Sequence, residues 1–255
     1  MNSTETIAGV NGLTNKVALV IGGSRGIGAA VVRRLAQSGC SVAIGYCVHR
    51  EDADLVASEI GAMGTRATTV QGDIAAPEGA RKIVGEALKV FPKIDIVVNS
   101  AGIAPYRPLE AIDAAFVRRI FDVNVLGVIQ ATQAVVSHLS SPGGRIINFA
   151  SGLAFRPIPN SSVYAASKAA VVSLTHAFSK ELGPRGITVN AVAPGVIATD
   201  MTAGILKERG AEILSATPLG RIGQPEDIAG IVAFLASPEA GWITGRTILA
   251  DGGVL

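Results

Sequence analysis

Tyr164 and Lys168 lie four positions apart in a stretch of helical periodicity, so their side chains share one helix face. Ser151 stands upstream, where the apolar run Ile146-Ile147-Asn148-Phe149-Ala150 ends. A phenol titrating near ~10 is a poor acid or base at neutral pH, but a neighbouring cation stabilises its phenolate and lowers its pKa. Such a tyrosine can exchange a proton with a carbonyl or alcohol oxygen. Taken alone, a Tyr-x-x-x-Lys pair is an ordinary helix-surface pattern. Joined to a serine at a strand end and a glycine-rich turn early in the chain, it becomes a candidate catalytic constellation.

That turn reads Gly22-Gly23-Ser24-Arg25-Gly26-Ile27-Gly28, after the first apolar run and before a helical pattern. Such a unit turns backbone N–H groups and a helix N-terminus toward phosphate. The spacing is G-x-x-x-G-x-G rather than G-x-G-x-x-G. A P-loop is excluded, because Ala29 and Ala30 stand where Lys and Ser/Thr would have to reach phosphate and metal. Gly22 to Gly26 also spells the G-x-S-x-G elbow of a serine hydrolase, with Ser24 as nucleophile. That motif normally follows several strands and needs a late histidine, and none occurs after His176.

An NAD-binding second strand should end with an acid for the ribose 2′-hydroxyl. Here it ends Ile44-Gly45-Tyr46-Cys47-Val48-His49-Arg50, and Glu51 and Asp52 come too late. Arg25 and Arg50 could instead clamp a 2′-phosphate, so NADP(H) is expected in preference to NAD(H). A simply solvated Arg50 is the competing reading.

The elements that would position these groups are legible. Short β-branched runs at Lys16–Ile21, Ser41–Tyr46, Arg66–Gln71, Ile94–Asn99, Arg145–Phe149, Thr188–Val192 and Arg246–Ala250 predict seven strands. Helical periodicity falls between them, at Ile27–Gln37, Asp52–Met63, Glu78–Val90, Ala114–His138, Val163–Leu182 and Pro225–Ala236. Runs apolar on both faces belong in a parallel sheet covered on both sides. The expectation is an α/β fold: one doubly wound Rossmann-type domain with a seven-stranded parallel sheet, over residues 16–255, preceded by an extension over residues 1–15. Thr199–Gln224 is the least regular stretch, either an active-site lid or an ordinary surface excursion.

Composition removes other classes. In 255 residues, 49% are hydrophobic and 16% charged, which rules out disorder as the main state. Aromatics are 4% against 30 glycines, so the core must be built from small aliphatic side chains in close packing. Twenty-two basic against twenty acidic residues give +2, with no basic stretch interleaved with aromatics, and no nucleic-acid partner is expected. No apolar run reaches the ~18 residues of a membrane span and no leader is visible, so a cytoplasmic protein is expected. Cys40 and Cys47 are too few for a disulfide framework and read as buried or half-buried thiols; with His49, His138 and His176 scattered, no metal is expected.

These motifs together resemble the short-chain dehydrogenase/reductase family, from about Lys16 to Gly253. The family's T-G-x-x-x-G-x-G turn is matched with Ile21 in place of Thr and with Gly22, Gly26 and Gly28 kept, which implies that the turn, with Ser24, Arg25 and Ile27, and the second-strand end at Tyr46 and Arg50 hold the dinucleotide. Gly72-Asp73-Ile74 resembles the segment beside the adenine, with Asp73 receiving its amino group. Asn99-Ser100-Ala101-Gly102 resembles N-N-A-G. Asn124 matches the asparagine that holds a water linking the lysine to solvent, and Ser151, Tyr164 and Lys168 match the remaining catalytic residues. The resemblance implies that Tyr164 donates a proton to a ketone oxygen, that Ser151 hydrogen-bonds that oxygen, and that Lys168 lowers the Tyr164 pKa and binds the nicotinamide ribose. Pro194, Gly195, Ile197 and Thr199 would orient the carboxamide.

Within the family, Tyr164-Ala165-Ala166-Ser167-Lys168 and Asp251-Gly252-Gly253 are most similar to the 3-oxoacyl-carrier-protein-reductase-like ketoreductases. Such reductases carry a basic cluster before the Gly-Arg-Ile-Ile strand; here that place reads Leu139-Ser140-Ser141-Pro142-Gly143, and Arg185 alone remains. Weight shifts toward a free small-molecule ketone or alcohol. The alternatives are a 3-oxoacyl-carrier-protein reductase and a non-catalytic dinucleotide-sensing module. Leu153, Phe155, Ile158, Met201, Ile205 and Leu206 would make an apolar pocket wall, or simply pack a lid. Gly241-Trp242-Ile243-Thr244-Gly245 resembles a family assembly segment, which implies a homotetramer.

Overall fold

The computed structural model describes residues 12–255. Its seven strands are β1 (Val17–Ile21), β2 (Ser41–Tyr46), β3 (Ala67–Gln71), β4 (Ile96–Asn99), β5 (Arg145–Phe149), β6 (Thr188–Pro194) and β7 (Thr247–Ala250). They form one sheet in the order β3-β2-β1-β4-β5-β6-β7, every neighbouring pair parallel. β1, β4, β5 and β6 are buried at every residue, as strands covered on both faces must be. Side chains alternate between the faces: Ala18 and Val20 join one core cluster, and Val17, Leu19 and Ile21 the other.

The first cluster packs the sheet against α1 (Gly26–Gln37), α2 (Arg50–Ala62) and α8 (Pro225–Ala236). The second packs it against α3 (Gly79–Val90), α5 (Gly127–Val135) and the partly buried Phe178 and Leu182 of α6 (Ser162–Leu182). This is the expected doubly wound architecture. Strand order runs one way from β1 to β3 and the other way from β4 to β7, so the loops after β1 and β4 part and leave a crevice at the carboxyl ends of the strands.

Four readings change. The single helix expected over Ala114–His138 is α4 (Ala114–Phe121), a π-helical turn (Asp122–Leu126) and then α5. The extra residue in that turn goes with the inward use of Asn124 described below. Inside Thr199–Gln224 lies α7 (Ala203–Ala216), none of whose residues is buried, so no apolar stripe marks it. It kinks at Arg209, whose φ of -129° is non-helical. Most of the extension at 1–15 lies outside the described residues, but Leu13 is only 1% exposed and belongs to the core, so the packed unit starts before residue 16. Cys40 is buried, donates to Leu13 O at 3.4 Å and is pushed up to about 12 by burial; Cys47 is exposed rather than half-buried. Among the described residues no helix is long and apolar enough to cross a membrane.

Candidate active site

Ser151 leaves β5 in extended conformation and caps a short turn, its Oγ accepting from Leu153 N at 3.2 Å. Tyr164 and Lys168 follow in the first two turns of α6. Lys168 is 6% exposed, and its Nζ donates to Phe149 O at 2.8 Å, tying the helix to the strand end that carries Ser151. Asn124 is fully buried; its Oδ1 accepts from Ile103 N at 2.9 Å, and its Nδ2 donates to Ile103 O at 2.9 Å and to Ser167 Oγ at 3.0 Å. Ser167 Oγ in turn donates to Tyr164 O at 2.7 Å. One polar chain thus fixes the loop after β4 against the turn of α6 that carries Tyr164 and Lys168.

Burial dominates the electrostatics. With no carboxylate paired to it among the described residues, Lys168 is pulled down to about 8 by loss of water. Tyr164 is pushed up to about 12, mainly by burial, with Tyr106 adding to the rise and a hydrogen bond to Ser151 opposing it. Proximity of Lys168 was expected to lower the phenol. Its Nζ stands 5.9 Å from the Tyr164 ring centroid, and the shift is set by desolvation of the phenol instead. A neutral phenol bonded to a serine hydroxyl can still receive a carbonyl oxygen and give it a proton.

The glycine turn is dictated by backbone proximity. Gly22 has φ +84°, and a methyl group there would stand 2.6 Å from Ala101 N, across the crevice. A methyl at Gly28 would stand 2.0 Å from Gly22 O. α1 starts at Gly26 with Arg25 as an N-cap that makes no side-chain capping bond, and no acid lies in its first turn. Its N-terminal amides, with Ser24 and Ile27 half-buried around them, are therefore left to an anion. Asn99 donates to Asn148 Oδ1 at 2.8 Å, while its own buried Oδ1 has no partner. A methyl at Gly102 would stand 3.2 Å from Asn124 Oδ1 and 3.4 Å from Lys168 Nζ, so that position must stay small. A helix N-terminus for a pyrophosphate, an unpartnered buried acceptor and a lysine with donors to spare fit a dinucleotide.

Beyond β6, Pro194 ends the strand and Gly195 N donates to Ala250 O at 3.0 Å. Ile197 is buried, and Thr199 reaches across to the glycine turn, its Cγ2 3.4 Å from where a methyl at Gly26 would lie. The remaining expected residues make contacts of their own within the protein. Asp73 is exposed and its Oδ1 accepts from Ala75 N at 3.0 Å, so the carboxylate shapes its own loop. Ile74 is buried against Gly127, and the Tyr46 ring is withdrawn into the core, leaving only its backbone at the strand end. Arg25 and Arg50 take different carboxylate partners. Arg25 lies 3.4 Å from Asp200 and 3.7 Å from Asp52, the acid read as coming too late in sequence, whereas Arg50 pairs with Asp54 at 3.3 Å one helical turn along. Exposed guanidinium groups take the nearest carboxylate, and such pairs hold weakly.

Two contributors were not anticipated. Ser167 is a buried link between Asn124 and Tyr164, and a hydroxyl three residues after the tyrosine on a helix was the available clue. Tyr106 lies with its ring centroid 5.9 Å from that of Tyr164, the planes inclined at 54°. A lone aromatic soon after Gly102, in a chain poor in aromatics, marked it.

Residues 21–255 match the family model described as enoyl-(acyl carrier protein) reductase. An uncharacterised oxidoreductase of Methylorubrum extorquens is 45% identical over 245 residues, covering 95% of this chain and 98% of that protein. A 3-oxoacyl-[acyl-carrier-protein] reductase of Synechocystis is 42% identical, again covering 95% and 98%. Among solved structures, a short-chain dehydrogenase from Burkholderia cenocepacia in complex with NADP superposes with a TM-score of 0.91 at 42% identity, covering 96% of this chain and 99% of that one. Likeness of that extent in sequence and in fold makes the chain an oxidoreductase belonging to the short-chain dehydrogenase/reductase family.

Proposed function

We propose that the protein reduces a ketone to a secondary alcohol, reversibly, with NADPH as reductant and with Tyr164 exchanging the proton at the substrate oxygen. The observation that carries this reading is the meeting of Ser151, Tyr164 and Lys168 at the carboxyl edge of the sheet, held by Asn124 beside the β1–β4 crevice. Ser151 donates a hydrogen bond to the carbonyl oxygen, and Tyr164, kept protonated by burial, donates the proton as the alkoxide forms. Lys168 holds the ribose hydroxyls, and Asn124 maintains the route from Lys168 toward solvent. The turn from Gly22 to Gly28 takes the phosphates, Asp73 and Ile74 border the adenine, Asn99, Ala101 and Gly102 line the crevice, and Pro194, Gly195, Ile197 and Thr199 hold the carboxamide. The bound nicotinamide supplies the hydride.

Preference for NADPH rests on Arg25 and on the lack of an acid at the end of β2. A 2′-phosphate would compete with Asp52 and Asp200 for that guanidinium. Arg25→Ala should lower the ratio of kcat/KM with NADPH to that with NADH by about ten-fold, the loss of one charge-assisted contact. An unchanged ratio would place the phosphate elsewhere.

Likeness to 3-oxoacyl-[acyl-carrier-protein] reductases favours a second substrate class, the 3-oxoacyl thioesters. The segment before β5 carries no basic residue to dock an acidic carrier, and Arg185 is occupied with Val136 O at 2.8 Å, so free ketones come first. The test is loss of reduced-nicotinamide absorbance with aliphatic, aryl, cyclic and 3-oxoacyl-thioester ketones. Oxidation of NADPH by any free ketone supports the reading; turnover of the thioester alone would replace it by the second, and silence with NADPH still binding would contradict both. The same protein is proposed to assemble as a tetramer, since Trp242 is 99% exposed and Leu249 on the edge strand β7 is 43% exposed. Sedimentation as a monomer would contradict this.

A further inference from the structure

We infer that Tyr106 is a specificity-determining residue, a fixed aromatic wall beside the seat of the substrate oxygen that favours ketones bearing an aryl group next to the carbonyl. The inference rests on the ketone-reductase reading and deepens it. The loops after β4, β5 and β6 adjoin at one edge of the sheet, because those strands are neighbours, and they carry Tyr106, Ser151 and Thr199 respectively. Tyr106 is the residue of the first loop whose ring meets that of Tyr164, 5.9 Å away and inclined at 54°. It is nevertheless 41% exposed, so much of its surface is free for something other than protein.

The backbone on either side of Tyr106 is pinned. Ile103 is held through both its N–H and its C=O by Asn124, at 2.9 Å each. Arg107 N donates to Asn160 O at 3.0 Å, tying the loop to the segment that follows Ser151. The Arg107 guanidinium donates to Asp113 at 3.1 Å and lies 4.5 Å from the Phe116 ring centroid. A side chain between two such anchors is ordered before substrate arrives, so little is lost in fixing it on binding. A carbonyl oxygen that accepts from Tyr164 brings its flanking substituents close to the phenol, whose ring Tyr106 packs against. Aromatic rings at the separations such a pocket allows discriminate by about two- to ten-fold beyond their bulk.

The test uses the full-length enzyme with NADPH and two ketones of nearly equal size, acetophenone and cyclohexyl methyl ketone. The reading is the ratio of their kcat/KM values, in which differences in intrinsic reactivity cancel between variants. Tyr106→Leu keeps apolar bulk and removes the ring, and should lower the acetophenone preference about five-fold. Tyr106→Phe keeps the ring and should hold the wild-type ratio. A ratio unmoved in Tyr106→Leu, both ketones declining together, would assign Tyr106 a merely structural part and overturn the inference while leaving the reductase reading intact. A ratio that falls as far in Tyr106→Phe would give the selection to the hydroxyl and overturn the aromatic wall. Wild-type protein that oxidises NADPH with neither ketone nor any other would overturn the reductase reading and this inference together.

Discussion

In the glycine turn after β1 a single methyl group has no room: at Gly28 it would lie 2.0 Å from Gly22 O, and at Gly22 2.6 Å from Ala101 N. In the segment after β6, α7 buries none of its residues, and a methyl group at Gly204 or Gly210 would meet nothing within 4 Å outside its own helix. The first region is specified by backbone pressed on backbone, which leaves almost no choice of residue. The second is under no such pressure, and its packing tolerates many sequences. The glycine turn is therefore closed to substitution, and α7 is open to it.

Substitutions can break this contrast. Gly28→Ala should be the most damaging, because the obstacle is a carbonyl of the tight turn rather than a flexible side chain; loss of several kcal/mol of stability together with NADPH binding is expected, measured by thermal melting and fluorescence titration. A stable, NADPH-binding Gly28→Ala protein would show the turn to be pliable.

Lys168→Met tests burial at the junction of the two regions. The folded Lys168 pKa of about 8 lies below its ordinary 10.5, so below pH 8 the folded state carries the whole cost of burying a cation. Between pH 8 and 10.5 the unfolded chain binds more protons at this site than the folded one, so this cost fades as pH rises. The stability difference between Lys168→Met and wild type should therefore shift in favour of wild type by about 3 kcal/mol from neutral pH to 10.5, read from denaturant melts. A difference independent of pH would mean that Lys168 is hydrated. The smallest effect belongs to the permissive side: Gly204→Ala should stabilise α7 by up to about 0.5 kcal/mol with cofactor affinity unchanged. Destabilisation there would mean that α7 packs tightly at Gly204.

The same contrast governs what could be read in the sequence. Strand runs such as Val17–Ile21 announced themselves because both faces of the sheet are covered, and the glycine turn because backbone proximity forces the residue type. α7 stayed hidden because no stripe of buried residues marks it. The break at Asn124 stayed hidden because a π-helical turn preserves the run of helical periodicity while re-aiming one side chain. Asp52 and Asp200 reach Arg25 only through tertiary folding, and Asp200 comes from the loop after β6. The neighbour of Tyr164 was legible four residues on, but the depth of its burial, which decides the sign of its pKa shift, was not.

Proton donation by Tyr164 is tested most directly by Tyr164→Phe, which removes the phenolic oxygen and little else. Reduced-nicotinamide absorbance would be followed with a ketone that wild type turns over, alongside NADPH binding by fluorescence titration. Reduction should be abolished while NADPH affinity stays within a few-fold. Turnover near the wild-type rate in that variant would contradict it and move the proton donor to another residue.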